Sequence, residues 1–266
     1  MADEPSPLLV ERDGAVLWVR LNRPEARNAI NLAALDELID VFTNADADHD
    51  VRALVMTGTG KDFCTGGEGG QSSTGAAPSV SILDYGRSLQ KFQDLFRTYW
   101  WMETPTVSAV NGTTAGLGWM LALLADLVVA AEGARWTHVF SRRGMVPHAG
   151  DPFFLPHVLP LRRVSEAALL SDTITSETLA EWGAVNRVVP ADEVEAVAGE
   201  LAQRLAAGPT RTLGLTKRLY RQSLTSDQAT MFRAEADATA LISQTEDRVE
   251  GVKALMEGRA PDFKGR

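Results

Sequence analysis

Met56-Thr57-Gly58 through Phe63-Cys64-Thr65-Gly66-Gly67, and Val107-Ser108-Ala109-Val110-Asn111-Gly112 through Ala115-Gly116-Leu117-Gly118, are the stretches that decide the fold. Each couples a short apolar, partly β-branched run to a glycine cluster, and the second leads straight into an apolar helical stretch, Trp119 to Ala125. Glycine lets a ligand approach the backbone closely. Helix starts collect unpaired N–H groups, and the dipole favours negative charge there. Two such turns that converge supply two donors to one oxygen, an oxyanion hole. One glycine turn by itself says only that the chain changes direction.

Outward from these turns the chain alternates strand and helix. Residues 8–11 and 15–21 read as strands around a turn at Asp13-Gly14. Leu32, Leu35, Leu38, Ile39 and Phe42 are spaced as an amphipathic helix over 31–47, with Asn31 as its cap. A strand over 51–56 feeds the first glycine turn, and the Gly/Ser/Thr/Ala-rich residues 66–78 read as a loop. A second amphipathic helix covers 81–102, followed by strands over 106–110 and 127–131. This alternation indicates an α/β chain with crossover connections. After Pro190 the pattern turns to helices only, over 193–206, 209–224, 226–243 and 246–257, which places a boundary between a core of residues 1–190 and a helical region of 191–266.

Composition narrows the function. The chain has 266 residues, 45% of them hydrophobic, enough for a substantial core. A net charge of −9 leaves no basic stripe for nucleic acid. A lone cysteine, Cys64, permits no internal disulfide. The start, Met1-Ala2-Asp3-Glu4-Pro5, lacks the basic and apolar pattern of a secretory signal, and Asp126 interrupts the longest apolar stretch, so a soluble cytoplasmic protein without a membrane partner is expected. No metal-ligand spacing is visible.

Six segments in order resemble the crotonase superfamily, also called the enoyl-CoA hydratase/isomerase family. They are Leu21-Asn22-Arg23-Pro24-Glu25-Ala26-Arg27-Asn28-Ala29, Gly58 to Gly67, Asn111 to Asp126, Gly144-Met145-Val146-Pro147, Glu181 to Pro190, and the tail from Glu250 to Phe263-Lys264. The resemblance implies an α/β fold, a crotonase-like spiral of strand–strand–helix turns followed by a C-terminal all-helical oligomerisation region. It implies trimers or dimers of trimers, a coenzyme A thioester as substrate and no further cofactor. It also implies that the N–H groups of Gly67 and Leu117 hold the thioester oxygen as it becomes an enolate. Arg27 and Ala29 fall in the coenzyme A segment, where an Arg suits a phosphate but also a solvated surface. Phe263 and Lys264 match a tail that reaches the adenine end, often across a subunit boundary.

The departures concern proton transfer. Hydratases of the family use two glutamates, whose positions are Met120 and Phe140 here; neither side chain exchanges a proton, and both, with Trp119, read as lining an apolar acyl pocket. Some members place an acid just after the proline of Gly-x-x-Pro, which here is His148. Histidine can accept and return a proton near neutrality. Asp151 either orients His148 or caps a helix with Pro152 in its first turn. His138, two residues before Phe140, is a second possible base. Glu68 is a loop-fixing acceptor or a carboxylate near the thioester. Cys64 reads as a small buried residue, Trp100, Trp101, Trp119 and Trp136 as pocket or core, and Asp126 as an acid closing a helix–strand turn. The expected activity is an acyl-CoA reaction through a stabilised enolate, with double-bond isomerisation favoured over two-glutamate hydration. An inert acyl-CoA binder and a C–C bond hydrolase on the same fold are the alternatives.

Overall fold

The computed structural model describes residues 6–68 and 82–266, so most of the loop read over 66–78 lies outside the described residues. Strands β1 (Leu8–Asp13) and β2 (Val16–Leu21) form the expected antiparallel hairpin, with Leu8 opposite Leu21. Helix α1 (Leu32–Ala47) starts where Asn31 Oδ1 accepts the Ala34 N–H at 2.8 Å, and it buries Leu35, Leu38 and Phe42.

Three similar turns of chain follow. The first runs β3 (Ala53–Gly58), β4 (Asp62–Cys64) and α2 (Ile82–Trp101). The second runs β5 (Thr106–Val110), β6 (Thr113–Ala115) and α3 (Leu117–Leu123). The third runs β7 (Leu127–Ala131), β8 (Arg135–Thr137) and α4 (Asp151–Val158). Each turn gives its first strand to a six-stranded sheet, ordered β1-β2-β3-β5-β7-β10, and its second to a four-stranded sheet, ordered β4-β6-β8-β9. Helix α5 (Leu161–Leu170), β9 (Thr173–Thr175), α6 (Ser176–Glu181) and β10 (Arg187–Val189) complete both sheets. Pairing is parallel except for β1 with β2 and β8 with β9. This is the strand–strand–helix spiral expected. Strand β3 begins two residues later than the sequence suggests, because the Val51 N–H closes a turn onto the Asp48 carbonyl.

Helices α7 (Val194–Ala206), α8 (Thr210–Ser223), α9 (Gln228–Ile242) and α10 (Glu246–Glu257) follow. Helix α7 buries Val194, Ala198, Ala202 and Ala206, one residue every fourth, against Val16, Val55, Val107 and Val129 of the larger sheet. Small side chains let the helix lie close. Helix α8 is held by charge. Asp126 Oδ2 accepts from Lys217 Nζ at 2.6 Å and from the Thr106 N–H at 2.8 Å, while Oδ1 accepts from Arg221 Nη2 at 2.8 Å. Arg221 also lies over the Trp100 ring at 4.3 Å. Burial lowers the Lys217 ammonium to about 8 against the pull of Asp126. Burial also pushes the Asp126 carboxyl up, but Lys217 and Arg221 outweigh it and hold the group below its ordinary range. Asp126 therefore closes the helix–strand turn, as expected, and also docks α8. Trp100, Trp119 and Trp136 are core residues, whereas Trp101 is 42% exposed and lines no core.

Candidate active site

The two glycine turns converge. Strands β4 and β6 are parallel neighbours, so the residues following them share one edge of the smaller sheet. Ile30 bridges the first turn, its N–H donating to the Gly66 carbonyl at 2.8 Å and its carbonyl accepting from the Glu68 N–H at 2.7 Å. That bridge leaves the Gly67 N–H out. Leu117, the first residue of α3, has a donor beyond reach of any helical acceptor. Among the described residues neither the Gly67 nor the Leu117 N–H has a hydrogen-bond partner. The turns are in contact: Gly67 lies where a side-chain carbon would stand 3.2 Å from Leu117 Cδ1, and one on Gly118 would run into the Cys64 carbonyl. Cys64 itself is buried, and burial raises its thiol to about 12, which suits a packing residue and not a nucleophile.

The segment before α1 is braced from several sides. Arg27 and Asn28 adopt left-handed backbone angles, φ 54° and 56°. The buried Asn28 amide donates to the Asp62 carbonyl at 2.7 Å and the Thr59 carbonyl at 3.0 Å. Arg27 reaches Asp62 through Nε at 3.2 Å and Nη2 at 3.0 Å, with its own side chain 54% exposed. Burial pushes the Asp62 carboxyl up, but hydrogen bonds from Arg27 and Thr113 and the charges of Arg27 and Lys61 leave it net lowered. Arg23 Nη1 donates to the Ala29 carbonyl at 2.7 Å and to Glu68 Oε2 at 2.6 Å. Glu68 is thereby tied to Arg23, with its side chain 50% exposed. Asn28 and Arg23 are organisers that the sequence reading passed over; their signal was the position of both inside the Leu21-to-Ala29 segment.

Phe263 and Lys264 do not meet Arg27 within one chain. The Phe263 carbonyl accepts from Arg52 Nη1 at 3.1 Å, beside the start of β3, whereas Arg27 stands beyond its other end. The Lys264 and Gly265 N–H groups donate to the two carboxylate oxygens of Asp247 at 2.6 and 2.8 Å, and Lys264 Nζ pairs with Asp262.

The proton-transfer candidates are arranged differently from the expectation. Met120, Trp119 and Phe140 are buried in the hydrophobic core. Asp151 neither caps α4 nor orients His148. It is the first residue of α4, after Gly150 in the left-handed region at φ 94°, and no side chain caps the helix. Its Oδ2 lies 2.9 Å from His138 Nε2, with both side chains buried. The turn at Ala149 and Gly150 aims Asp151 inward, away from His148. His148 instead places Nδ1 3.1 Å from the Val146 carbonyl and stacks edge-on against Phe140 at 4.8 Å. Phe140 in turn meets the His138 ring at 5.0 Å, and His138 meets Trp119 at 5.9 Å. Among the described residues no group of three or more His, Cys, Asp or Glu is placed to hold a metal, and no helix is long and apolar enough to cross a membrane.

With this geometry in view, the sequence pattern of the enoyl-CoA hydratase/isomerase family matches residues 11–266. The chain belongs to that family. Among relatives of this family, it is 34% identical to 1,2-epoxyphenylacetyl-CoA isomerase of Escherichia coli strain K12, over 97% of this chain and 98% of that protein. It is 33% identical to 2,3-dehydroadipyl-CoA hydratase of the same strain, over 98% and 100%. A crystal structure of a putative enoyl-CoA hydratase from Streptomyces coelicolor A3(2) superposes with a TM-score of 0.91 at 30% identity, over 100% of this chain and 98% of that one. Enoyl-CoA hydratase/isomerase relatives of the two kinds, hydratase and isomerase, thus match along nearly the whole length.

Proposed function

We propose that this enoyl-CoA hydratase/isomerase family member acts on a coenzyme A thioester through an enolate, with the thioester oxygen accepting from the Gly67 and Leu117 N–H groups. The observation that carries the reading is that these two neighbouring amides lack partners among the described residues. Unpaired donors already aimed at one place cost no reorganisation when charge develops, and losing one such donor costs about 3 kcal/mol of barrier lowering. The reaction is a proton shift in the acyl chain and needs no cofactor besides the thioester. Met120 and Phe140, buried and without acidic groups, support a double-bond shift over two-glutamate hydration. Arg27 approaches the coenzyme A phosphates with the exposed part of its guanidinium while Asp62 holds the rest. Exposed apolar residues on the last two helices, Phe232, Leu241, Leu255 and Met256, support self-association, which we read as a trimer or dimer of trimers.

Titration with acyl-CoA and turnover assays test this reading. Saturable thioester binding, isomerisation of a β,γ-enoyl-CoA and hydration of crotonyl-CoA well below the ordinary enzyme rate of about ten per second are expected. Hydration at that rate would overturn the isomerase assignment, and binding without any turnover would establish the inert binder.

A further inference from the structure

The third turn of the chain ends where the first two do. Strands β4, β6 and β8 lie side by side and parallel, so their C-terminal ends open on one edge of the smaller sheet. Gly67 stands beyond the first end, Leu117 beyond the second, and His138 directly beyond the third. Neighbouring strands are about 4.8 Å apart, and the Gly116 N–H donates to the Thr137 carbonyl at 3.2 Å, joining the second end to the third. An ionisable ring thus sits one strand from the Leu117 amide and two strands from the Gly67 amide.

The hydrogen bonding of that ring is one-sided. A carboxylate only accepts, so the 2.9 Å contact with Asp151 Oδ2 puts a hydrogen on His138 Nε2. In the neutral ring Nδ1 then keeps a lone pair. His138 is 0% exposed, and among the described residues Nδ1 has no partner. The indole Nε1 of Trp119, whose ring stands edge-on to His138, is also buried and lacks a partner among the described residues. Buried polar groups are nearly always paired, and an exception calls for an explanation, of which a catalytic role is one. The backbone of His138 is meanwhile held fast. Ser171, itself buried and at φ 54°, donates its hydroxyl to the His138 carbonyl at 2.6 Å and meets Ser141.

We propose that His138, positioned by Asp151, is the proton carrier of this site. The inference rests on the thioester reading given above. With a β,γ-enoyl thioester, the Nδ1 lone pair takes an α-proton. The C–H electron pair forms a double bond to the thioester carbon, and the carbonyl electrons move onto the oxygen that the Gly67 and Leu117 N–H groups hold. The Asp151 carboxylate faces the positive charge that the second ring proton creates. Nδ1 then returns the proton to the γ-carbon, and the double bond ends between the α- and β-carbons. One proton leaves and one returns, so no co-reactant is needed. Trp119 and Phe140 cover the ring, so the Phe140 side chain must move before an acyl chain can reach Nδ1. Asp151 is the charged group in contact with His138; the next titratable ring, His148, lies beyond Phe140.

The test is exchange of the α-protons of butyryl-CoA in deuterated water, with thioester affinity measured alongside by calorimetry. The unmutated protein is expected to exchange. His138→Gln should lose about a hundredfold or more while affinity changes little. Asp151→Asn should slow exchange and shift the tautomer balance of the His138 ring in nitrogen NMR, which a merely structural role would not do. Exchange retained by His138→Gln, or lost instead by His148→Gln, overturns the proposal. Should His138→Gln not fold, the unmutated protein decides the matter. Binding of acetoacetyl-CoA as its enolate should protonate both nitrogens of His138, and an unchanged ring beside a bound enolate overturns the assignment. Binding of butyryl-CoA without exchange removes the proton carrier but leaves the thioester site, whereas neither binding nor exchange removes both.

Discussion

Gly66 and Leu117 are in backbone contact: a side-chain carbon on Gly66 would stand 3.3 Å from the Leu117 nitrogen and 3.1 Å from the Ala115 carbonyl oxygen. Gly66 also holds φ at 104°, where an L side chain is strained. Gly66→Ala must therefore move one turn relative to the other and part the two donors. The expected result is a loss of turnover on the order of a hundredfold, the cost of one misplaced oxyanion donor, with thioester affinity largely kept. Steady-state kinetics beside calorimetry check it. A fully active Gly66→Ala protein would show that the two amides do not act on one oxygen.

Asp126 is the counter-charge for two buried cations, Lys217 and Arg221. Asp126→Asn keeps the shape and removes the charge, leaving both cations uncompensated. A loss of about 3–5 kcal/mol in urea unfolding is expected. A change below 1 kcal/mol, judged against the ordinary surface-pair range, would mean that solvent reaches this cluster.

The same cluster sets a pH dependence. Burial holds the Lys217 ammonium at about 8 in the folded chain, below its ordinary 10.5. The unfolded chain therefore holds this proton more tightly, and unfolding is favoured while Lys217 must stay charged inside. Its contribution to stability rises as pH climbs from about 8 towards about 10.5, where the unfolded chain binds more protons. Unfolding free energies of the protein and of Lys217→Met, compared across that window, should converge or cross in favour of the unmutated chain. A difference that stays flat with pH contradicts the titration.

Asp247 pins the tail through the Lys264 and Gly265 N–H groups and is itself only 4% exposed. Asp247→Ala should cost about 1–3 kcal/mol, the range for a removed buried hydrogen-bonding partner. It should also raise amide exchange in residues 262–266. Unaltered exchange there would assign the anchoring to Phe263 and Arg52 instead.

Much of this was legible in the chain itself, for reasons that can be traced. The period of Leu35, Leu38 and Phe42 fixed α1, and Asn31 marked its start, because both signals are local. The glycine turns were legible because a close approach between backbones forbids any side chain at Gly118. Partnerships were not. Asp151 lies three residues from His148 in sequence, yet it pairs with His138, thirteen residues away, because the left-handed turn at Ala149 and Gly150 folds α4 back over the end of β8. Lys217 and Arg221 stand 91 and 95 residues from Asp126, so nothing near any of the three announces the cluster. The Arg23–Glu68 pair joins residues 45 positions apart, which no local signal in the sequence announces.

Helix α7 bears on how the chain is made. The Val55, Val107 and Val129 face of the larger sheet is closed by Val194, Ala198, Ala202 and Ala206, residues that follow every strand in sequence. A nascent chain emerging from the ribosome therefore exposes a finished but uncovered valine surface until the segment ending at Ala206 is free, and it is during that interval that sheet-to-sheet association between unfinished chains competes with folding.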